Sequence, residues 1–215
     1  MTFTGFPAAA LDFYEDLEAD NSKAFWTAHK DTYEGAIKKP FEALVAELGP
    51  EFGEAKIFRP YRDVRFAKDK SPYKTNQGAW FGESSVYVHI DAAGLMVAAG
   101  YWETASDQVG RLREAVAAEI SGTELEGIIA DLEQAGFEVG GEQLTRVPAG
   151  YPKDHPRADR LRFKTLTARK TFGAPAWLAT PKAKKHIVDG FHAMQPLTSW
   201  LQQRVGPTEL ERRGR

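Results

Sequence analysis

Residues 84–102 read SSVYVHIDAAGLMVAAGYW, and this stretch decides the fold. Aliphatic and polar side chains alternate along its first half: Val86, Val88 and Ile90 against Tyr87, His89 and Asp91. Successive side chains of a strand point to opposite faces, so the aliphatic set is predicted to be buried and the polar set to face a cleft or solvent. Residues 92–94 predict a short turn, and residues 95–102 predict the return strand of a β-hairpin.

Helical patterns lie before and after this hairpin. They predict helices at residues 8–19, from Asn21 or Ser22 to Gly49-Pro50 with a break at Pro40, and at residues 106–120, 123–135 and 181–204. A further alternating stretch at residues 160–172 predicts another strand. Strands grouped between helices indicate an α+β fold, with a central, mostly antiparallel sheet, an N-terminal helical pair and a C-terminal helix. We expect a single domain over residues 1–205 and a loosely ordered polar tail over residues 206–215.

The composition is typical of a soluble globular protein. The 215 residues are 42% hydrophobic and 27% charged, which is ordinary for one folded domain. No apolar run approaches the length of a membrane-spanning helix, and the acidic residues 1–20 do not resemble a signal peptide. A cytoplasmic location and no membrane partner are therefore predicted. Cysteine is absent, which excludes disulfides, thiolate catalysis and thiolate metal ligands.

Charge is strongly segregated along the chain, although the net charge is only −2. Residues 56–74 contain seven Lys and Arg against two Asp, a net charge of +5, and residues 143–215 contain fifteen cations against five anions, a net charge of +10. If these two stretches meet in space, they create a local positive field suited to an anion. The alternative is that acidic helices lie over the basic stretches and cancel their charge.

The central basic segment, residues 56–76, reads KIFRPYRDVRFAKDKSPYKTN. Its cations are interleaved with aromatic residues: Arg59, Arg62, Arg65, Lys68, Lys70 and Lys74 with Tyr61, Phe66 and Tyr73. Guanidinium groups bind carboxylates or phosphates as a two-pronged fork and stack on aromatic rings. Several such cations in a partly desolvated cleft repel one another, and an anion would neutralise them. These six cations are therefore predicted to bind an anionic ligand.

Two further features of the segment bear on this prediction. Asp63 lies between two arginines and is placed to hold one of them in position for a ligand. Ser71-Pro72 is typical of a helix start, whose free backbone N–H groups would also attract an anion. The alternative is a purely structural ion-pair network, in which the arginines pair with Asp63, Asp69 and acidic helices.

The sequence RPYRDVRFAKDKSPYKT at residues 59–75 resembles the hallmark of a family of microbial and fungal proteins, domain of unknown function 2461 (DUF2461). Two other blocks resemble the same family: LDFYEDLEADNSKAFWTAHKDTYEGAIKKP at residues 11–40 and VPAGYPKDHPRADRLRFKT at residues 147–165. The resemblance therefore spans most of the chain. It implies one intact domain and brings with it no assigned catalytic residue, cofactor or substrate.

A second basic block lies in the predicted strand at residues 160–172. Arg160, Arg162 and Lys164 would project from one side of that strand about 6.5 Å apart. This spacing suits successive phosphates or a larger polyanion, and we expect the block to converge with the central segment. The alternative is a strand edge that carries charge to prevent aggregation.

Histidines and carboxylates supply the candidates for catalysis and metal binding. His89 shares a strand face with Tyr87 and Asp91, so His89, like Asp63, is a candidate for proton transfer. The alternative for the trio is a hydrogen-bond ladder. His29 lies on the apolar stripe of the second helix and is expected in the core. The five histidines form no pair at ligand spacing, so neither a metal site nor a cofactor is predicted.

The predicted function is recognition of a phosphorylated small molecule or a nucleotide by the central cations, together with the second basic block. The alternatives are a non-catalytic nucleic-acid- or protein-binding module and a purely structural ion-pair network. A pI near 6.2 argues against strong nonspecific binding to duplex nucleic acid. The sequence assigns neither a reaction nor an oligomeric state.

Overall fold

The computed structural model describes residues 2–65 and 68–210. The N-terminal half contains a run of helices followed by a strand: α1 (Ala8–Ala19), α2 (Lys23–Ala28), α3 (Lys30–Thr32), a π-helix (Tyr33–Lys38), α4 (Lys39–Phe52) and β1 (Ala55–Ile57). The remaining elements are β2 (Asn76–Phe81), β3 (Val86–Asp91), β4 (Gly94–Tyr101), α5 (Ser106–Ala117), α6 (Glu119–Gln134), β5 (Glu138–Gly140), α7 (Ala158–Leu161), β6 (Leu166–Gly173), a 3₁₀-helix (Ala176–Ala179) and α8 (Lys182–Arg204). No helix among the described residues is long and apolar enough to cross a membrane.

The six strands form one sheet in the order β1-β2-β3-β4-β6-β5. β2 pairs antiparallel with both β1 and β3, and β5 pairs antiparallel with β6. Helices precede and follow these strands along the chain, so the predicted α+β fold with a mostly antiparallel sheet is confirmed. The chain divides into two compact units: residues 1–97 with 171–191, and residues 98–170 with 192–215.

The hairpin formed by β3 and β4 is present, and its buried and polar faces are those predicted from the alternating side chains. The aliphatic residues of β3 are fully buried, and its polar residues are half-buried on the other face. The turn between β3 and β4 depends on Gly94, which has a φ of 112° that side-chain-bearing residues rarely adopt. A Cβ at Gly94 would also collide with the backbone carbonyl oxygen of Gly173, so only glycine fits this position.

Aromatic side chains form part of the core of the first unit. Phe52 at the end of α4 and Phe81 at the end of β2 both contact Phe191 of α8, with ring centroids 5.0 and 5.9 Å apart. These edge-on contacts attach the helices to the same face of the sheet that carries the buried aliphatic residues of β3. The polar face of β3 is therefore the opposite one.

The helical half of the first unit departs from the prediction in three ways. The chain does not break at Pro40 but forms a wider π-helical turn, Tyr33–Lys38, directly before α4. The helix also continues past Gly49-Pro50 to Phe52 and ends at Gly53, whose φ of 87° suits glycine. His29 is exposed rather than in the core, and its ring stacks on Phe25 with centroids 4.1 Å apart. His29 itself interrupts the helix, because it ends α2 with a non-helical backbone conformation before α3 begins at Lys30.

In the second unit, α5 and α6 are nearly continuous, because α6 begins at Glu119 rather than at the predicted cap Thr123. The indole N–H of Trp200 donates to the backbone oxygen of Ser121 at 3.0 Å, which joins α8 to the start of α6. The described part of the polar tail, residues 206–210, is held against α5. Asp107 accepts hydrogen bonds from the Thr208 hydroxyl and the Glu209 backbone N–H, both at 2.8 Å.

The predicted strand at residues 160–172 is wrong in its first part. Residues 158–161 form the short helix α7, and the strand β6 begins only at Leu166. Leu161 and Phe163 are both buried, as the alternation required, but a helical turn and the bend after it achieve this burial. Five alternating residues are too few to distinguish such a turn from a strand.

Candidate functional site

The central basic segment folds into an irregular hairpin, here named the cationic hairpin, residues 58–75. Two backbone hydrogen bonds close it: the Lys74 N–H donates to the Pro60 oxygen at 2.7 Å, and the Arg62 N–H donates to the Pro72 oxygen at 2.9 Å. Tyr61 and Tyr73 face each other between these bonds as an antiparallel bridge. The helix start predicted at Ser71-Pro72 is therefore wrong, because the backbone there pairs with the opposite strand. Residues 66 and 67, including the predicted aromatic Phe66, lie outside the described residues.

An aromatic stack and an asparagine fix one strand of the cationic hairpin to the N-terminal helices. The Tyr73 ring stacks on Trp26 with centroids 4.2 Å apart and an interplanar angle of 5°. The Asn21 side chain both accepts from the Tyr73 N–H and donates to the Tyr73 carbonyl oxygen, each at 3.1 Å. Tyr73 is only 5% exposed as a result. The position of the next residue, Lys74, is thereby set by the core.

A buried glutamine fixes the other strand. Gln77 on β2 accepts a hydrogen bond from the Tyr33 hydroxyl at 2.6 Å and donates to the Phe58 carbonyl oxygen at 2.7 Å. The Phe58 N–H in turn donates to the Gly78 carbonyl oxygen at 2.9 Å. Both ends of the hairpin therefore emerge from well-packed structure, which holds their side chains in defined positions.

Two of the predicted ligand-binding arginines are neutralised within the hairpin. Arg65 forms a two-pronged pair with Asp63, with Nε–Oδ1 and Nη2–Oδ2 distances of 2.9 and 2.6 Å. Arg62 pairs with Asp69, which also accepts from the Ser71 N–H at 2.9 Å. The hydrogen bonds from Arg65 lower the pKa of Asp63 to about 2, so this pair stays charged well into acid. Arg62 and Arg65 therefore form ion pairs of the kind that the structural alternative predicted, and the partner of Asp63 is Arg65.

Five other cations lie in residues 56–74, and three of them, Lys56, Arg59 and Lys74, are here named the cation cluster. In the described part of the chain none of the three forms an ion pair with a carboxylate. The Lys74 ammonium lies over the Phe58 ring, 5.1 Å from its centroid. Partial burial lowers the pKa of Lys74, and the positive charges of Arg59, Arg62 and Lys56 lower it further. The cation cluster is thus a region of unneutralised positive charge.

Three of the other predicted cations, Lys70, Arg162 and Lys164, have partners nearby in the chain's fold. Lys70 donates to the Val64 carbonyl oxygen at 2.9 Å, and Lys68 is exposed. In the second unit, Arg162 donates to the Leu144 carbonyl oxygen at 2.8 Å, and Lys164 pairs with Glu142. Arg160, Arg162 and Lys164 do not line one strand face, because the segment is not a strand. Their convergence with the cationic hairpin stays a prediction.

The polar residues of β3 form a hydrogen-bonded chain along one strand. The Nδ1 atom of His89 is 3.3 Å from the Tyr87 hydroxyl, and Nε2 is 3.2 Å from a carboxylate oxygen of Asp91. Burial and the nearby charge of Asp91 raise the pKa of Tyr87 to about 12. Burial also acts to raise the pKa of Asp91, but the hydrogen bond and charge of His89 and two backbone N–H groups bring it below its usual value. Both nitrogens of His89 thus have partners, and both partners lie on its own strand.

The Phe58 ring connects the cation cluster to this chain. Its centroid is 6.1 Å from that of Tyr87, while the Lys74 ammonium lies over it. Across the sheet, Lys56 is the register partner of Trp80, and Trp80 is the partner of Tyr87. Cationic, aromatic and titratable side chains therefore lie side by side on the half-buried face of β1, β2 and β3.

A family model described as "Conserved hypothetical protein (DUF2461)" matches residues 9–200. The chain belongs to the DUF2461 family. No curated protein and no solved structure matches it. The cationic hairpin and the cation cluster therefore both lie within the residues that match the DUF2461 family.

The structure assigns a role to Arg157 of this DUF2461 protein that was not predicted from the sequence. Arg157 is 5% exposed and donates to the backbone oxygens of Val116, Ala117 and Ala118 at 2.7–3.3 Å. It also pairs with Glu119 at 3.1 Å. Arginine is mostly exposed in proteins, so no pattern around Arg157 indicated a buried role. Its partners show that it stabilises the junction of α5 and α6.

The described residues of this DUF2461 protein contain no group of three or more His, Asp or Glu side chains placed to hold a metal ion. The chemical groups of the site are the partly buried amine of Lys74, the guanidinium of Arg59 and the exposed ammonium of Lys56, beside aromatic rings.

Proposed function

We propose that the protein recognises a small anionic ligand, such as a phosphorylated metabolite or a nucleotide, at the cation cluster. The observation that carries the proposal is the environment of Lys74. Its ammonium is partly buried, lies among other cations and has no carboxylate partner in the described chain. Such an arrangement is unfavourable without a counter-ion, and a bound anion would relieve the repulsion.

The chemistry of the cluster suits a phosphate or carboxylate group. Arg59 supplies a planar fork of donors for two oxygens of such a group, and Lys74 supplies a compact charge. Asp63 and Asp69 are paired with Arg65 and Arg62, so they neutralise Arg59 only in part, through the longer-range interaction of Arg59 with Asp63. Arg62 and Arg65 therefore act mainly in shaping the hairpin, while Arg59 and Lys74 bind.

A small ligand is favoured over a nucleic-acid strand by the size of the unneutralised region. Pairing within the hairpin and in the second basic block reduces the charge that would follow a long phosphate backbone. Tyr61, which is 50% exposed, is the one ring of the hairpin available to stack on a base of a nucleotide ligand among the described residues. The proposal includes a cytoplasmic location, where phosphorylated metabolites and nucleotides are abundant.

The proposal predicts a rise in melting temperature with inorganic phosphate, and a larger rise with nucleotides, at constant ionic strength. A ligand that binds only the native state at about 100 times its Kd adds about 2.7 kcal/mol to the free energy of unfolding. In the double variant Arg59→Gln/Lys74→Gln, the rise should disappear, because both direct donors are gone. Differential scanning fluorimetry with chloride as the ionic-strength control measures it.

The matched control is the double variant Arg169→Gln/Lys185→Gln. It makes the same change of net charge at exposed side chains that pair with Glu138 and Asp189 and not with residues of the hairpin. It should keep the full phosphate-dependent rise. If the control and the site variant respond alike, or if wild type does not respond to any phosphate compound, the proposed function is wrong.

A further inference from the structure

We propose further that Lys74 is a nucleophilic amine that forms a Schiff base with a carbonyl compound carrying an anionic group. This inference rests on the proposed function, since the anionic group would be held by the other members of the cation cluster. It defines the ligand more narrowly, as an aldehyde or ketone that also bears a phosphate or carboxylate. Nothing in the family match assigns such a role to any residue.

The position of the Lys74 amine is well determined. Its backbone N–H is bonded to Pro60, and the preceding Tyr73 is clasped by Asn21 and stacked on Trp26. Its side chain is half-buried and ends over the Phe58 ring, 5.1 Å from the centroid. A reactive amine needs this kind of placement, because a freely rotating surface lysine presents its nitrogen in no fixed direction.

The surroundings of Lys74 favour the neutral amine, which is the form that attacks a carbonyl carbon. Burial removes water from the ammonium, and Arg59, Arg62 and Lys56 repel its charge, so its pKa is lowered. A lysine activated by desolvation and by neighbouring cations is a recognised route to an amine nucleophile. Lys70, by contrast, is exposed and donates to a backbone oxygen.

The reaction is balanced without any further reagent. The Nζ lone pair of Lys74 attacks the carbonyl carbon, and the π electrons of the C=O bond move to oxygen to form a carbinolamine. A proton passes from nitrogen to that oxygen through solvent, and the resulting hydroxyl takes up from solvent the proton that the Lys74 ammonium released before the attack. The C–O bond then breaks and the oxygen leaves as one water. The protonated imine that remains carries one positive charge, as the ammonium did. The anionic group stays beside Arg59 and Lys56 throughout.

Pyridoxal 5′-phosphate is the appropriate probe, because it combines an aldehyde with a phosphate. The protein is incubated with the probe and sodium cyanoborohydride at neutral pH, and the reduced adducts are located by peptide mass spectrometry. Lys74 should be labelled about tenfold faster than Lys70, since phosphate binding raises the effective concentration of the aldehyde at Lys74. Inorganic phosphate should suppress this labelling, and pyridoxal without the phosphate should label Lys74 more slowly.

Lys56 and the variant Lys74→Arg sharpen the test. Lys56 belongs to the same cluster but is exposed, so preferential labelling at Lys56 would overturn the assignment to Lys74. Lys74→Arg keeps the positive charge but has no primary amine, so the fast-labelled site should disappear and no other lysine should take its place.

The experiment separates the two proposals. Even labelling of exposed lysines, with the phosphate-dependent rise in melting temperature intact, would overturn the Schiff base and leave the proposed function standing. Suppose instead that Lys74 is labelled fast, that phosphate does not suppress this labelling and that pyridoxal labels Lys74 at the same rate. The site would then not recognise an anionic group, and the proposed function would be wrong.

Discussion

Replacing Trp26 by alanine is expected to lower the free energy of unfolding by about 4 kcal/mol, the usual loss for a buried tryptophan. Trp26 is buried and stacks on Tyr73 at 4.2 Å, and its ring also lies 4.7 Å from that of Tyr33 and 5.8 Å from that of Phe13. The substitution leaves a cavity among these rings and removes the platform of the cationic hairpin. Urea unfolding followed by circular dichroism measures the loss.

The control is Trp26→Phe, which keeps an aromatic ring against Tyr73. It should lose clearly less stability than Trp26→Ala, because part of the stack and of the buried area is retained. A loss below about 1 kcal/mol for the alanine variant, within the range of surface substitutions and minor repacking, would contradict the packing of Trp26.

Replacing Arg157 by alanine is expected to lower the free energy of unfolding by about 3 kcal/mol, because hydrogen bonds to a charged donor are lost in a buried site. The backbone oxygens of Val116 and Ala117 lie in the last turn of α5, where helix carbonyls have no intrahelical partner, and that of Ala118 lies directly after it. The guanidinium satisfies these oxygens and places a positive charge at the negative end of the helix. Thermal and urea unfolding measure the effect.

Two comparisons identify the cause. Arg157→Lys keeps the charge but has no planar fork to reach several oxygens, so it should remain well below wild type in stability. Arg160→Ala removes a cation three residues away that is more exposed, and it should change stability by no more than about 0.5 kcal/mol. Equal losses for Arg157→Ala and Arg160→Ala would show that net charge, not capping, is responsible.

The sheet was the most predictable part of the fold. In β3, a strict alternation of aliphatic and polar residues allows only one orientation in which the aliphatic face is buried, so burial could be predicted residue by residue. The alternation at residues 160–164 fits a helical turn equally well, and the pairing of β6 with β5 involves only residues 167–169. Short patterns without a defined neighbour are decided by tertiary contacts.

The helix ends were less predictable, since local signals competed. Gly49-Pro50 resembles a helix end, but burial of Phe52 against Phe191 favours one more turn, and Gly53 then ends the helix. The exposure of His29 also goes with an interruption that the sequence did not indicate, because the backbone leaves the helical conformation at His29 between α2 and α3. The π-helical turn at residues 33–38 was missed as well. No periodicity in the sequence marks a π-helical turn.

The segment that contains the candidate site could be predicted from the sequence, but the role of each residue in that segment could not. The density of cations in residues 56–74 indicated a positive region, but no pattern distinguished the role of one arginine from that of another. Which arginines are neutralised depends on the hairpin that brings Arg62 to Asp69. The unneutralised state of Lys74 and its contact with Phe58 arise from the same folding, so they could only be found in the structure.

The central claim is that the cation cluster binds an anion, and a phosphate titration followed by backbone amide chemical shifts in ¹⁵N-labelled protein tests it most directly. We predict saturable shift changes concentrated at residues 56–62 and 73–76, which are lost in Arg59→Gln/Lys74→Gln. Small, non-saturating changes spread over the whole chain, or saturable changes centred elsewhere, would contradict the claim.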